Sequence, residues 1–323
     1  MKNVLITGIS GQDGIFLTKK YFSSAYDVCI YGVTRNPKNT LKKITNFLPE
    51  VNEKNIKLIN LDLENSYECE KIMSSVKFDY IYNLSGPSNV YESLKKPTET
   101  SHKILNIFDN LVKSTIKANN VCNFFQASSS EMFGKNGDLI LNEESTFSPN
   151  SPYAKAKLRN HLKIKQLNVK YDINFSSGII FNHESEFRAE NFLFVKIIDK
   201  AIKIQKNKAS ILEVGSLNYK RDWSYAEDIV DAIFMINSNP KSDSYLLASG
   251  SSYSIEQVVE FVFDELGLDY RKYIKENNEL LRQGDPVAIH ADVTKINRDY
   301  GWSTSHDLNE ILKIMINQRL KIL

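Results

Sequence analysis

The stretch KNVLITGISGQDG, residues 2–14, constrains this chain more than any other. A short, β-rich apolar run ends in a loop that carries Gly8, Gly11 and Gly14 in a G-x-x-G-x-x-G pattern. GIFLTKKYFSSA then spaces its apolar residues at helical intervals. Glycine lets the chain turn tightly and lets a pyrophosphate approach the backbone. The helix N-terminus adds N–H donors and a positive dipole. A bare glycine trio fits an ordinary turn equally well. Its position between the first strand and the first helix points to a dinucleotide site, with Gln12 and Asp13 inside the loop.

The pattern continues downstream. DVCIYGVTR, IKLINLD, FDYIYNLSG, CNFFQASSS and INFSSGIIFN read as strands. KILNIFDNLVKSTIKAN and PYAKAKLRNHLKIKQLNVKY read as helices, the second with Pro152 near its start, where a missing N–H costs nothing. Strands alternating with helices over about 180 residues predict an α/β fold built on a Rossmann-like doubly wound parallel sheet. After Asn182 helices dominate, with short strands such as ILEVG and SYLLAS. A smaller, interleaved C-terminal substrate domain is expected there. The expected boundaries are 1–178, with returns at 214–249, for the nucleotide-binding domain. The substrate domain takes 179–213 and 250–323. No repeat, low-complexity linker or Pro/Gly-rich hinge separates the parts.

A chain of 323 residues suits one large domain or two intimately joined ones. A net charge of +2, with both signs interspersed, argues against a nucleic-acid partner. Cys29, Cys69 and Cys122 are too few and too widely spaced for a disulfide framework or a zinc site. Cys29 and Cys122 lie in apolar runs and are expected as buried thiols. No apolar stretch approaches the ~20 residues of a membrane span. The first residues run straight into a strand, so no signal peptide is expected. These features predict a cytoplasmic protein without metal, membrane or nucleic-acid partners.

Two segments carry candidate chemistry. The second strand ends in YGVTRNPKN, which has no acid to hold a ribose 2′-hydroxyl but has Thr34 and Arg35. An arginine there suits a 2′-phosphate, which favours NADP over NAD. Asp62, after the third strand, is placed to meet the adenine edge, or else to cap its own loop. YAKAK puts Tyr153 and Lys157 four apart, on one helix face. A nearby ammonium favours the phenolate and makes the tyrosine a usable base. In QASSSEMFG, Ser129 and Glu131 point the same way if the segment is extended. Ser129 is then the donor to a substrate hydroxyl and Glu131 the handler of a carbon-bound proton. Alone, the stretch reads more readily as a serine-capped turn with a solvated glutamate.

Taken together, TGISGQDG, YNLSGPSNV, QASSSEMFG, SPYAKAK, GIIFNHES, KRDWSYAEDIV and GWSTSHDL resemble the extended short-chain dehydrogenases/reductases nearly end to end. Within that group the chain is most similar to the GDP-mannose 4,6-dehydratase family. The resemblance implies a hydro-lyase that uses NADP, with Ser129, Glu131, Tyr153 and Lys157 as the catalytic set. It also implies that Leu63 lies by the cofactor. Ser88, Asn182, Lys196, Arg221, Arg282 and Asp285 are implied along the GDP-sugar, with arginines as phosphate clamps. Asp285 stands where the family usually has Glu. Ser85-Gly86-Pro87-Ser88-Asn89 replaces Ala-Ala-Gln-Ser-His near the hexose, and EFRA replaces Pro-Arg-Arg-Gly. The implied sugar is therefore GDP-mannose or a related GDP-hexose such as GDP-N-acetylglucosamine. A 4-epimerase or decarboxylase shares the glycine loop and the Ser-Tyr-Lys set, and a non-catalytic NADP binder shares the loop. His183 reads as structural. The two long helices suit a four-helix seam in a homodimer or homotetramer.

Overall fold

The computed structural model describes residues 1–24, 26–51, 54–135, 140–171, 173–239, 241, 243–281 and 286–323. They divide into two compact units: residues 1–132, 149–180 and 230–245 form the first, and 133–148, 181–229 and 246–323 the second. Residues 133–148, 214–229 and 246–249, expected in the nucleotide-binding domain, cluster with the second unit, and 179–180, expected in the substrate domain, with the first.

The first unit alternates strands and helices through β1 (Lys2–Thr7), α1 (Gln12–Ser23), β2 (Val28–Val33), α2 (Pro37–Phe47), β3 (Ile56–Ile59), α3 (Ser66–Ser75) and β4 (Tyr80–Asn83). It continues through α4 (Val90–Lys95), α5 (Pro97–Lys117), β5 (Asn123–Ser129), α6 (Pro152–Lys170) and β6 (Asn174–Ile180). Next come β7 (Asn182–Glu184), α7 (Leu193–Gln205), β8 (Leu212–Val214), β9 (Lys220–Tyr225), α8 (Ala226–Ser238) and β10 (Ser244–Leu247). The chain closes with β11 (Ser252–Ser254), α9 (Ile255–Glu265), β12 (Ile274–Glu276), α10 (Thr294–Tyr300) and α11 (Leu308–Ile322).

The central sheet has seven strands in the order β10-β6-β5-β4-β1-β2-β3. The pairs from β3 to β6 are parallel. The order reverses between β1 and β4, and doubly wound folds bind ligands outside the strand ends at such a switch point. The strands are near-continuous apolar runs because both faces of a parallel sheet are covered. Under α3, α5 and α6 the core gathers Leu5, Ile81, Phe108, Leu111, Phe124 and Phe175, none exposed by more than 0%. Helix α5 buries Ile104, Ile107, Phe108, Leu111 and Val112 along one side. Helix α6 starts at Pro152, and the Ser151 side chain accepts from the Ala154 amide at 3.1 Å. All three cysteines are buried and free, and burial pushes Cys69 and Cys122 up to about 12.

In the second unit β7 pairs parallel with β9, and β11 pairs antiparallel with it. β8 and β12 form a separate parallel pair. Helices α7, α9 and α11 pack on one another. A bidentate pair joins Arg319 to Asp199, with Nη2–Oδ2 at 2.6 Å. Among the described residues no helix is long and apolar enough to cross a membrane, and no cluster of three or more His, Cys, Asp or Glu is set to hold a metal.

Candidate active site

The glycine loop leaves β1 at the switch point. Gly8 adopts φ +70°, a conformation that costs glycine nothing. A Cβ on Gly14 would lie 2.4 Å from Ile9 Cα and 2.7 Å from the Gly8 carbonyl oxygen. Gly11 is the N-cap of α1, and no side chain caps that helix end. A side chain at Gly14 would collide with the backbone of the loop itself and push the loop off α1, so Gly14 holds the shape of a cradle onto which the α1 N-terminus opens. These residues fit a dinucleotide diphosphate. A Gly14→Ala protein should bind NADP+ at least tenfold more weakly and melt at a lower temperature. A fluorescence titration and a thermal melt measure both, and an unchanged dissociation constant would count against the cradle.

Arg35 is exposed at the end of β2. Thr34 is buried, and its hydroxyl is engaged by Thr40 Oγ1 at 2.8 Å and by the Asn36 amide at 3.3 Å. Its visible work is to shape the turn into α2. Sequence reasoning missed Lys43: its Nζ donates to the Ser10 carbonyl inside the glycine loop at 3.1 Å, and burial lowers its pKa. Nothing in the local pattern separates Lys43 from Lys42; only the packing of α2 does. Asp62 is exposed, and its carboxylate accepts from the Glu64 amide at 3.0 Å, the turn-capping geometry. The Leu63 side chain belongs to the core. Ser88 is exposed in the loop after β4, where Gly86 takes φ +124° and Asn89 caps α4 through the Glu92 amide at 3.1 Å.

The expectation for Ser129 and Glu131 needs one correction. β5 ends at Ser129, and Ser130–Met132 form a 3₁₀ turn. The two residues are therefore related by a turn and not by strand alternation. The Glu131 amide donates to Ser129 Oγ at 3.3 Å. Ser129 is 7% exposed and Glu131 half-buried. Helix α6 packs on this turn and carries Tyr153 and Lys157 in its first two turns, both buried. Lys157 Nζ donates to the Ala127 carbonyl at 2.9 Å and lies 5.7 Å from the Tyr153 ring centroid. A polar chain runs beneath the strand ends: Thr7 Oγ1 donates to Asn83 Oδ1 at 3.1 Å, and Asn83 Nδ2 to Gln126 Oε1 at 2.7 Å. Gln126 Nε2 then donates to the Ala127 carbonyl at 2.8 Å, so this oxygen holds both Gln126 and Lys157.

Burial lowers the Lys157 ammonium to about 8, with Asp13 of the glycine loop opposing the shift. The group remains largely charged at neutral pH, the state that favours the Tyr153 phenolate. Between about 8 and the ordinary 10.5, the unfolded chain holds a proton there that the folded chain has released. The cofactor-free protein should therefore gain stability as pH rises through that window, by about 3 kcal/mol at full displacement. Urea melts of wild type and Lys157→Met, compared below and above the window, isolate this contribution. A constant difference between the two proteins would contradict it.

The second unit holds the remaining expected residues. Asn182 opens β7, opposite Trp223 of β9. His183 Nδ1 donates to the Phe181 carbonyl at 2.9 Å. Lys196 is exposed in the first turn of α7. Arg221 lies on β9, and its Nη1 donates to the Lys220 carbonyl at 2.8 Å. The adjacent Asp222 carboxylate, 1% exposed, accepts from the Ser249 amide and hydroxyl and the Gly250 amide, each at 2.8 Å. It thereby fixes the turn between β10 and β11. Arg282 and Asp285 lie outside the described residues.

A doubly wound sheet with a glycine cradle at its switch point, and a Ser-Tyr-Lys set beside it, defines a nucleotide-cofactor enzyme scaffold of the short-chain dehydrogenase/reductase type. The sequence model of the GDP-mannose 4,6 dehydratase family matches residues 5–315, and the chain belongs to that family. GDP-mannose 4,6 dehydratase 2 of Arabidopsis thaliana is 30% identical over 99% of this chain and 87% of its own. The human GDP-mannose 4,6 dehydratase is 30% identical over 99% and 91%. Among solved structures, RMD from Pseudomonas aeruginosa complexed with NADPH superposes with a TM-score of 0.83 at 17% identity, covering 100% of both chains. DesIV, a dTDP-glucose 4,6-dehydratase from Streptomyces venezuelae with NAD and TYD bound, gives 0.86 at 16% identity over 99% and 97%. These two establish the fold.

Proposed function

We propose that this chain is an NADP-dependent GDP-sugar 4,6-dehydratase that turns GDP-mannose, or a related GDP-hexose such as GDP-N-acetylglucosamine, into a GDP-4-keto-6-deoxy sugar. The observation that carries the reading is the convergence of Ser129, the Glu131 turn and the Tyr153–Lys157 helix at the end of β5, within a chain of this family. The glycine loop would hold NADP, which when bound would supply hydride acceptance and return. Tyr153 takes the proton from the sugar's 4-hydroxyl, with Lys157 stabilising the phenolate and Ser129 holding the same oxygen. The 4-keto group acidifies the hydrogen on carbon 5. Glu131 removes it, and the 6-hydroxyl leaves as water after protonation. With no second carboxylate beside Glu131, where this chain has Ser130, one glutamate serves as base and then acid. A 4-epimerase has no need of Glu131, and a cofactor-only binder has no need of Tyr153 and Lys157.

The deciding experiment is mass spectrometry after incubation with a panel of GDP-sugars and NADP+. A product lighter by one water, with no net NADPH, is expected. An unchanged mass with an altered sugar would replace this reading by epimerisation. We also read the protein as a cytoplasmic homodimer or homotetramer. The support is the α5–α6 pair, where Asp109 fixes Arg159 and Lys163 and leaves Leu162 45% exposed on the outer face.

A further inference from the structure

Helix α6 touches the end of β5 at two consecutive residues. Lys157 meets the Ala127 carbonyl, as above. One turn on, at the same four-residue spacing, His161 meets Ser128: its Nδ1 lies 3.2 Å from Ser128 Oγ. The same nitrogen lies 3.1 Å from Ser177 Oγ on β6, and Ser177 Oγ lies 2.8 Å from Ser244 Oγ on β10. His161 is 1% exposed and Ser128 4%, so water does not substitute for these bonds. The dehydratase chemistry uses none of the four groups.

Two hydroxyls converge on one ring nitrogen. The Nδ1 lone pair can accept from the Ser128 hydroxyl while Ser177 bonds Ser244. The arrangement suits the neutral tautomer protonated on Nε2, the proton placement that the NMR measurement below reads. Burial, with Lys165 adding to it, holds His161 down at about 4, consistent with a neutral acceptor at working pH. Ser128 then donates in one defined direction, its rotamer is set, and the residue before Ser129 is tied to the helix below Lys157.

We propose that His161 is a positioning residue for the reaction: through the Ser128 hydroxyl it locks the strand end carrying Ser129 to the helix carrying Tyr153 and Lys157. The proposal rests on the dehydratase reading of the site. Misplacement of reacting groups by an ångström costs rate far more than binding. The lock therefore shows in kcat and not in substrate KM or cofactor affinity.

The test compares wild type with S128A, H161N and H161Q, using GDP-mannose (or the GDP-sugar that wild type converts) and NADP+. Asparagine places an amide oxygen as many bonds from Cα as Nδ1, and glutamine places it one bond further. S128A and H161Q should lower kcat at least tenfold, with KM and the NADP+ dissociation constant within about twofold of wild type. H161N should keep kcat within about threefold. S128A removes one oxygen from a folded core and retains a folded protein; wild-type kcat in S128A overturns the proposal. So does an H161Q protein that melts earlier yet turns over normally, because that is a structural role alone. If wild type converts no GDP-sugar, the dehydratase reading fails by itself. Nitrogen-15 NMR then decides the lock: Nδ1 of His161 should be unprotonated and hydrogen-bonded, and S128A should shift it. A protonated Nδ1, or no shift, overturns the lock independently of activity.

Discussion

A Glu131→Gln protein should oxidise its sugar nucleotide and then stall. The amide cannot take the carbon-5 proton, so water is not lost. Formation of the 4-keto-6-deoxy product should fall by about 10²- to 10⁴-fold, the usual contribution of a positioned acid–base group. NADP+ binding should persist, because Glu131 lies on the turn after β5 and not in the glycine loop. Mass spectrometry should find oxidised sugar in place of product lighter by water. Solvent deuterium should no longer enter carbon 5. Full turnover by this variant would remove Glu131 from the chemistry and reopen epimerisation.

Tyr153→Phe should block one step earlier, with a loss of about 10³-fold. The phenol oxygen is the only atom removed. The ring's neighbours Ile104 and Ala156 remain in place, and the Ser151 cap of α6 is untouched, so the fold should hold. The two variants are distinguishable. Tyr153→Phe should leave the sugar at its starting mass, with no deuterium at carbon 5. A double variant should behave as Tyr153→Phe alone, since the carbon-5 proton is acidic only after oxidation. Oxidised sugar from Tyr153→Phe would assign the first proton transfer elsewhere.

Much of the fold was legible because strands buried on both faces write long apolar runs and helices write one-sided stripes. The β1–loop–α1 unit and the Pro152 start of α6 stand in the structure where the sequence predicts them, and α5 covers the predicted helix but begins earlier, at Pro97. Of the two local geometries the Ser129–Glu131 stretch allowed, extended strand or serine-capped turn, the structure takes the turn: β5 ends at Ser129, whose hydroxyl accepts from the Glu131 amide. Thr34 was read toward the cofactor, but Thr40, six residues on, holds its hydroxyl. Arg282 and Asp285 remain expectations from resemblance.

By itself, the sequence determined the strand–helix alternation of the first 180 residues, the glycine loop and the residue types of the acid–base set. These are local: periodicity, glycine conformational freedom and four-residue spacing on one helix act within a few residues. Only the tertiary structure decided which polar groups meet across long separations. It placed Lys157 on the Ala127 carbonyl, Lys43 on the Ser10 carbonyl, Asn83 on Gln126, and His161 between Ser128 and Ser177. Those pairings follow from strand order and helix packing, because a buried polar group must find its partner wherever the fold brings one within reach.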